Sequence, residues 1–265
     1  MQRPFAGLPG ETDWVALREV VPAATAPLRL VGSPERDVTL STVLPMAWPA
    51  LVRADGRVLL GLQVGGSSGD VSRDLAATLE LALAAEPGTP VLRTGLPGDG
   101  PRLQDLLDQT PLAVTVHAGF EYWVEGSADP SGEVASSLER ANASVVPTAA
   151  VAGVTSAYWC RMKSRCHLRW VLPEPEDALL DAMARLAPGG GLSLGPDSRY
   201  VGSFRAHGLL VPVWDLPVEA EAADLEGPAA AWRVRLDEAL ADPLPLTDAH
   251  RRARSGLLSR QITLR

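Results

Sequence analysis

The sequence predicts an α+β protein made of two related modules, with mainly antiparallel sheets and helices packed on one face of each. Three observations predict it. Short β-branched and aliphatic runs bounded by Gly, Pro, Asp and Ser read as strands in hairpins. Apolar residues at 3.6-residue spacing read as helices following those hairpins. The same strand–turn–strand–helix plan occurs twice, from Trp48 to Ala85 and from Ala157 to Ala187.

In the first module, Trp14 to Val21 reads as a short helix that Pro22 closes. Pro27–Val31 and Val38–Leu44 read as strands around a turn-rich stretch. Asp55-Gly56 reads as a two-residue hairpin turn, since both positions must tolerate positive φ. Asp70 is placed as the N-cap of a helix over Val71–Ala85, with Asp74 favoured by the helix dipole in the first turn. Val71, Leu75, Leu79 and Ala82 form its apolar stripe. Arg102–Leu107 reads as a short helix, Ala113–His117 and Phe120–Val124 as strands, and Ser131–Asn142 as a helix.

The second half retraces this plan. A hairpin over 157–172 precedes a helix over Glu176–Ala187, where Leu179, Met183 and Leu186 face inward and Asp181 can pair with Arg185 at i, i+4. Ser203–Asp215 echoes Val114–Val124, and the helix Trp232–Ala241 takes the place of Ser131–Asn142. An internal duplication follows, with modules at 1–132 and 133–245 and a basic tail at 246–265. That tail reads as a helix capped by Thr247, ending in the strand-like Gln261-Ile-Thr-Leu.

Composition excludes several classes. With 46% hydrophobic and 21% charged residues in 265, the chain is an ordinary folded one. No run reaches the roughly 18 to 20 apolar residues of a membrane span, the start lacks a secretory core, and two cysteines make no disulfide framework. A cytoplasmic location follows as the expectation. The net charge of −8 argues against a protein that coats nucleic acid non-specifically. The charge is uneven, however. Leu216–Asp242 carries seven acids against Arg233 and Arg235, while Thr247–Arg265 carries five arginines against Asp248 alone. Lys163, Ile262 and Asn142 are the sole members of their types, which points to GC-rich bacterial codon usage.

Arg3-Pro-Phe-Ala-Gly-Leu-Pro-Gly-Glu-Thr-Asp-Trp, Thr42-Val-Leu-Pro-Met-Ala-Trp-Pro, Gly202-Ser-Phe-Arg-Ala-His-Gly and Gly256-Leu-Leu-Ser-Arg-Gln carry a resemblance. Across nearly its whole length the chain resembles an uncharacterised actinobacterial domain-of-unknown-function family. The resemblance implies a bacterial cytoplasmic protein and supplies no established activity or catalytic residue. Similar proteins often carry a Lys/Arg-rich leader before the Arg-Pro-Phe, so a basic arm is expected to be missing here.

Four constellations are candidates for chemistry. If Cys160 lies opposite Cys166 across a three-residue loop centred on Lys163, then Trp159, Arg161, Arg165, His167 and Arg169 share one basic face of the hairpin. That face fits an anionic partner such as RNA or a ribonucleoprotein, with arginines on phosphates and Trp159 stacking; the bland alternative is a solvated face or one paired with the acidic 216–242 segment. Ser203, Arg205, His207 and Asp215, with His117, form the best enzyme-like set, for a small-molecule enzyme or sensor with a site between modules. No nucleophile elbow accompanies it. Gly65–Asp70 resembles a phosphate cradle but lacks the Lys-Ser/Thr of a P-loop. Cys160, Cys166 and His167 match no common zinc spacing, so neither metal nor cofactor is assigned. The leading expectation is a non-enzymatic binding or adaptor protein whose second module and basic tail meet that anionic partner.

Overall fold

A computed structural model describes residues 2–64, 68–92, 95–124 and 132–260. The chain divides into two compact units, Met1–Val146 and Pro147–Arg265. Each has its own sheet, and both sheets are mostly antiparallel.

The first unit opens with α1 (Glu11–Glu19), whose Trp14 is buried and stacks on Phe5 at 5.7 Å. Strands β1 (Ala24–Leu30) and β2 (Ser33–Ser41) form a hairpin through Val31-Gly32, where Gly32 takes φ 79. A 3₁₀ turn at Pro45–Ala47 leads into β3 (Ala50–Val52) and β4 (Val58–Gly61). Helix α2 (Val71–Ala84), β5 (Pro90–Val91), α3 (Leu103–Leu106), β6 (Thr115–Val116) and α4 (Gly132–Ser144) complete the unit. The sheet order is β5-β3-β4-β2-β1-β6, with β4 inserted between β3 and β2 and running parallel to β2.

The Asp70 carboxylate caps α2 by accepting from Ser72 N at 3.2 Å and Arg73 N at 3.4 Å. Leu75, Ala76, Leu79 and Ala82 are buried as the helix packs on β3 and β4. On the Leu59 face of β4 sits an aromatic cluster of Phe120, Tyr122 and Trp123. Leu138 and Ala141 of α4 rest against that cluster, and the Asn142 side chain accepts from Phe120 N at 2.8 Å. These contacts place α4 in the first unit, so the boundary falls at 146/147 instead of 132/133.

The second unit comprises β7 (Thr148–Ala150), β8 (Ala157–Met162), β9 (Arg165–Trp170), α5 (Glu176–Leu186), β10 (Arg199–Ala206), β11 (Leu209–Leu216), α6 (Glu226–Ala241) and α7 (Asp248–Ser259). Its sheet, ordered β10-β11-β9-β8-β7, is antiparallel throughout. One face packs against α5, α6 and α7 through Trp170, Trp214 and Trp232, all buried, with ring centroids 5.0 to 6.4 Å apart. Trp170 Nε1 donates to Thr155 O at 2.9 Å and Trp214 Nε1 to Leu192 O at 2.7 Å, so two of the three indoles are held in one orientation. Thr247 caps α7 by accepting from His250 N, and Leu257 enters the core. Arg254 of α7 donates to Asp177 and Asp181 of α5 at 2.6 and 2.5 Å. The segment 246–265 is therefore, as far as it is described, part of the second unit and not a separate tail. Arg185 turns to Asp242 instead of forming the expected pair with Asp181.

The expected duplication meets a mixed outcome in the topology. A hairpin followed by a helix recurs, as β3–β4–α2 and β8–β9–α5. The other correspondences do not recur. Glu121–Trp123 is a 3₁₀ turn where a strand was expected, whereas Ser203–Asp215 lies in a long hairpin. Beyond its hairpin partner, β4 pairs in parallel with β2, while β9 pairs antiparallel with β11. The strand-like Gln261–Leu264 lies outside the described residues, as do residues 65–67 of the glycine-rich stretch.

Candidate functional site

Turn length decides which side chains share a face, because a slip of one residue exchanges the two faces of a strand. Both hairpin turns differ from expectation. In the first, Arg53 N donates to Arg57 O at 2.8 Å, so the loop is Ala54-Asp55-Gly56, three residues with Gly56 at φ 87. In the second, Met162 pairs with Arg165, leaving a two-residue loop of Lys163-Ser164. Cys160 consequently faces His167, and Arg161 faces Cys166.

This register splits the expected basic face. Trp159 joins the apolar cluster with Cys166, Leu168 and Trp170, on the helix-covered side. Arg161 stands on that same side at the rim, 5.0 Å above the Trp159 ring, and donates to Glu221 at 2.5 Å. Arg165, His167 and Arg169 lie on the opposite face, alongside buried Tyr158 and Cys160. The two thiols are free and project from opposite faces, and burial pushes the Cys160 thiol above its ordinary value. Among the described residues no three His, Cys, Asp or Glu side chains gather to hold a metal ion.

What the fold does assemble is a cluster around Asp215. Pairing of β11 with β9 sets Asp215 opposite His167, and pairing with β10 sets it opposite Arg199. Its carboxylate, 12% exposed, accepts from Arg199 at 2.8 Å, lies 3.4 Å from Arg165 Nη1 and 3.1 Å from His167 Nδ1. Both guanidinium groups reach outward, with Arg165 58% and Arg199 71% exposed, and Lys163 is exposed on the adjoining turn. Burial lowers the pKa of His167; Asp215 opposes the shift, and Arg169 and Arg165 reinforce it, so the imidazole is neutral at pH 7. Counting Lys163, Arg165 and Arg199 against Asp215, the surface is positive. No local sequence signal marks Arg199, because its partner lies 16 residues away and only the β10–β11 register connects them.

The enzyme-like set does not assemble. His207 occupies a two-residue turn with Gly208, at φ 46 and 81, between Ala206 and Leu209. Asp215 lies at the other end of that hairpin, six residues along β11 and so roughly 20 Å away at strand rise. Ser203 is buried with its hydroxyl 2.8 Å from Tyr200 Oη, and Arg205 grips Glu176 at the start of α5, with Nε 2.6 Å from the carboxylate. His117 belongs to the first unit, where its Nε2 lies 2.8 Å from Thr25 Oγ1 and its ring 4.9 Å from that of Tyr122.

Fold and surface together define a two-unit α+β protein whose second sheet carries an arginine cluster organised by one carboxylate. The chain belongs to the family described as "Family of unknown function (DUF5926)", whose model matches residues 4–265. No curated protein and no solved structure matches it.

Proposed function

We propose that this chain is a non-enzymatic bacterial cytoplasmic binding or adaptor protein whose second unit meets the phosphate backbone of RNA. One observation carries the reading: Arg165 and Arg199, on strands separated by β11, flank the same carboxylate and present their guanidinium groups to solvent beside Lys163. Both guanidinium groups keep N–H groups turned to solvent, and arginine forks match phosphate oxygens bidentately. The dispersal of Ser203, Arg205, His207 and Asp215 supports binding over catalysis. No helix among the described residues is long and apolar enough to cross a membrane.

The test is fluorescence anisotropy with a labelled single-stranded RNA at several salt concentrations. Three cationic contacts give log K a slope near −2 against log salt, from about −0.7 per contact. Arg165→Glu with Arg199→Glu is expected to abolish binding. RNA affinity unchanged in that double variant refutes the reading.

A further inference from the structure

A groove of about 360 Å³ opens in the second unit between the loop before β10 and the segment joining β11 to α6. Its floor is apolar: Leu194, Leu216 and Leu225 are buried there, with Pro196, Pro217 and Pro228 around them. Its rim is acidic, with Asp197, Glu219 and Asp224 exposed. Asp224 accepts from Glu221 N at 2.9 Å, but among the described residues neither Asp197 nor Glu219 has an ion-pair partner. The nearby cations are committed elsewhere: Arg199 to Asp215, Arg161 to Glu221, and Arg235 to Ser193 O at 3.0 Å.

Both walls are held in place. Ser198 Oγ accepts from Leu194 N at 2.8 Å and Gly195 N at 3.0 Å, and Ser198 N donates back to Gly195 O at 3.1 Å. Opposite, Ala220 N donates to Pro217 O at 3.2 Å before the Glu221–Asp224 cap begins. A wall already tied by its own hydrogen bonds loses little further freedom when a ligand seats on it. The volume lies within the roughly 300–1,000 Å³ common for ligand clefts. An apolar floor calls for aliphatic groups, and a rim of free carboxylates selects cations and repels phosphates.

We propose that this groove docks a basic peptide segment of a partner protein, which places aliphatic side chains over Leu194, Leu216 and Leu225 and cationic ones at Asp197 and Glu219. Three labelled hexapeptides test it by anisotropy, alternating arginine with leucine, glutamate with leucine, and arginine with serine. The arginine–leucine peptide is expected to bind, and each of the others about ten-fold more weakly or not at all. Asp197→Lys with Glu219→Lys is expected to cost at least about ten-fold in affinity with urea unfolding unchanged. Arg165→Glu with Arg199→Glu is expected not to weaken peptide binding, which separates this groove from the RNA surface. Equal binding of the arginine–serine peptide reduces the groove to general acidic attraction and overturns the proposal. So does an affinity indifferent to the rim substitutions, or absence of binding up to about 1 mM.

Discussion

Replacing Asp215 with Asn has opposite effects on folding and on anion binding, which makes it the most informative single change. The substitution keeps shape and removes one negative charge. Its pairs with Arg199 and Arg165 involve side chains 71% and 58% exposed, and exposed pairs contribute about 0–1 kcal/mol each. The carboxylate itself is 12% exposed, so its removal also relieves a desolvation cost. A net destabilisation of about 1 kcal/mol follows, or a shift of roughly 0.5 M in the urea midpoint for a slope near 2 kcal/mol/M. If a phosphate seated on the two guanidinium groups is taken at a charge separation of about 4 Å from that carboxylate, even water-like screening leaves about 1 kcal/mol of repulsion. Asp215→Asn is therefore expected to tighten RNA binding about five-fold. Tryptophan fluorescence in urea reads the first effect and anisotropy with labelled RNA the second. Unchanged or weaker binding, with folding only slightly affected, would falsify the placement of the anion at this cluster.

The remaining predictions concern the hairpin, two titrations and a cap. Under oxidant, Cys160 and Cys166 are expected to remain free, whereas Arg161→Cys is expected to crosslink to Cys166, since paired strand residues lie within the disulfide range; mass spectrometry without reduction distinguishes the registers. The pKa of His167 is lowered in the folded chain, so the unfolded chain takes up its proton first as pH falls. Stability is thus expected to fall below about pH 6.5, less steeply in His167→Gln, as read by urea midpoints across pH. Tyr122 is pushed up to about 12 by burial, so the unfolded chain ionises first and stability falls between about pH 10 and 12; Tyr122→Phe should flatten that arm of the profile. Asp70→Ala removes the cap of α2 and is expected to cost about 1 kcal/mol in the same urea assay.

The helices were legible because their signals are local. Asp70, the Leu75–Leu79–Ala82 stripe and Thr247 lie within a turn or two of the helices they specify. The strand pairs were legible as hairpins, but their registers were not. Asp55-Gly56 has the composition of a two-residue turn and becomes the last two residues of a three-residue loop, while Lys163-Ser164 carries no turn signature and closes a two-residue loop. That slip carries Trp159 and Arg161 to the helix-covered side and leaves Arg165, His167 and Arg169 on the other face. Proximity in sequence pairs Asp215 with His207, although an extended hairpin separates residues that sequence places eight apart. Its actual partners, His167 and Arg199, come from neighbouring strands, and strand order is a property of the whole sheet. Arg254 likewise reaches Asp177 and Asp181 across more than 70 residues.

The pairing of β1 with β6 bears on how the chain is made. Thr25 and His117 meet across a sequence separation of 92 residues, and β6 contributes only Thr115 and Val116 to the edge it covers. At about 5–20 residues per second, a ribosome needs roughly 5 to 20 s to deliver that partner after β1 has been synthesised. During that interval the outer edge of β1 has open backbone groups able to recruit a strand from another chain. The Thr25–His117 contact thus serves as a late latch, and loosening it is expected to show first as lower yield of folded protein during synthesis.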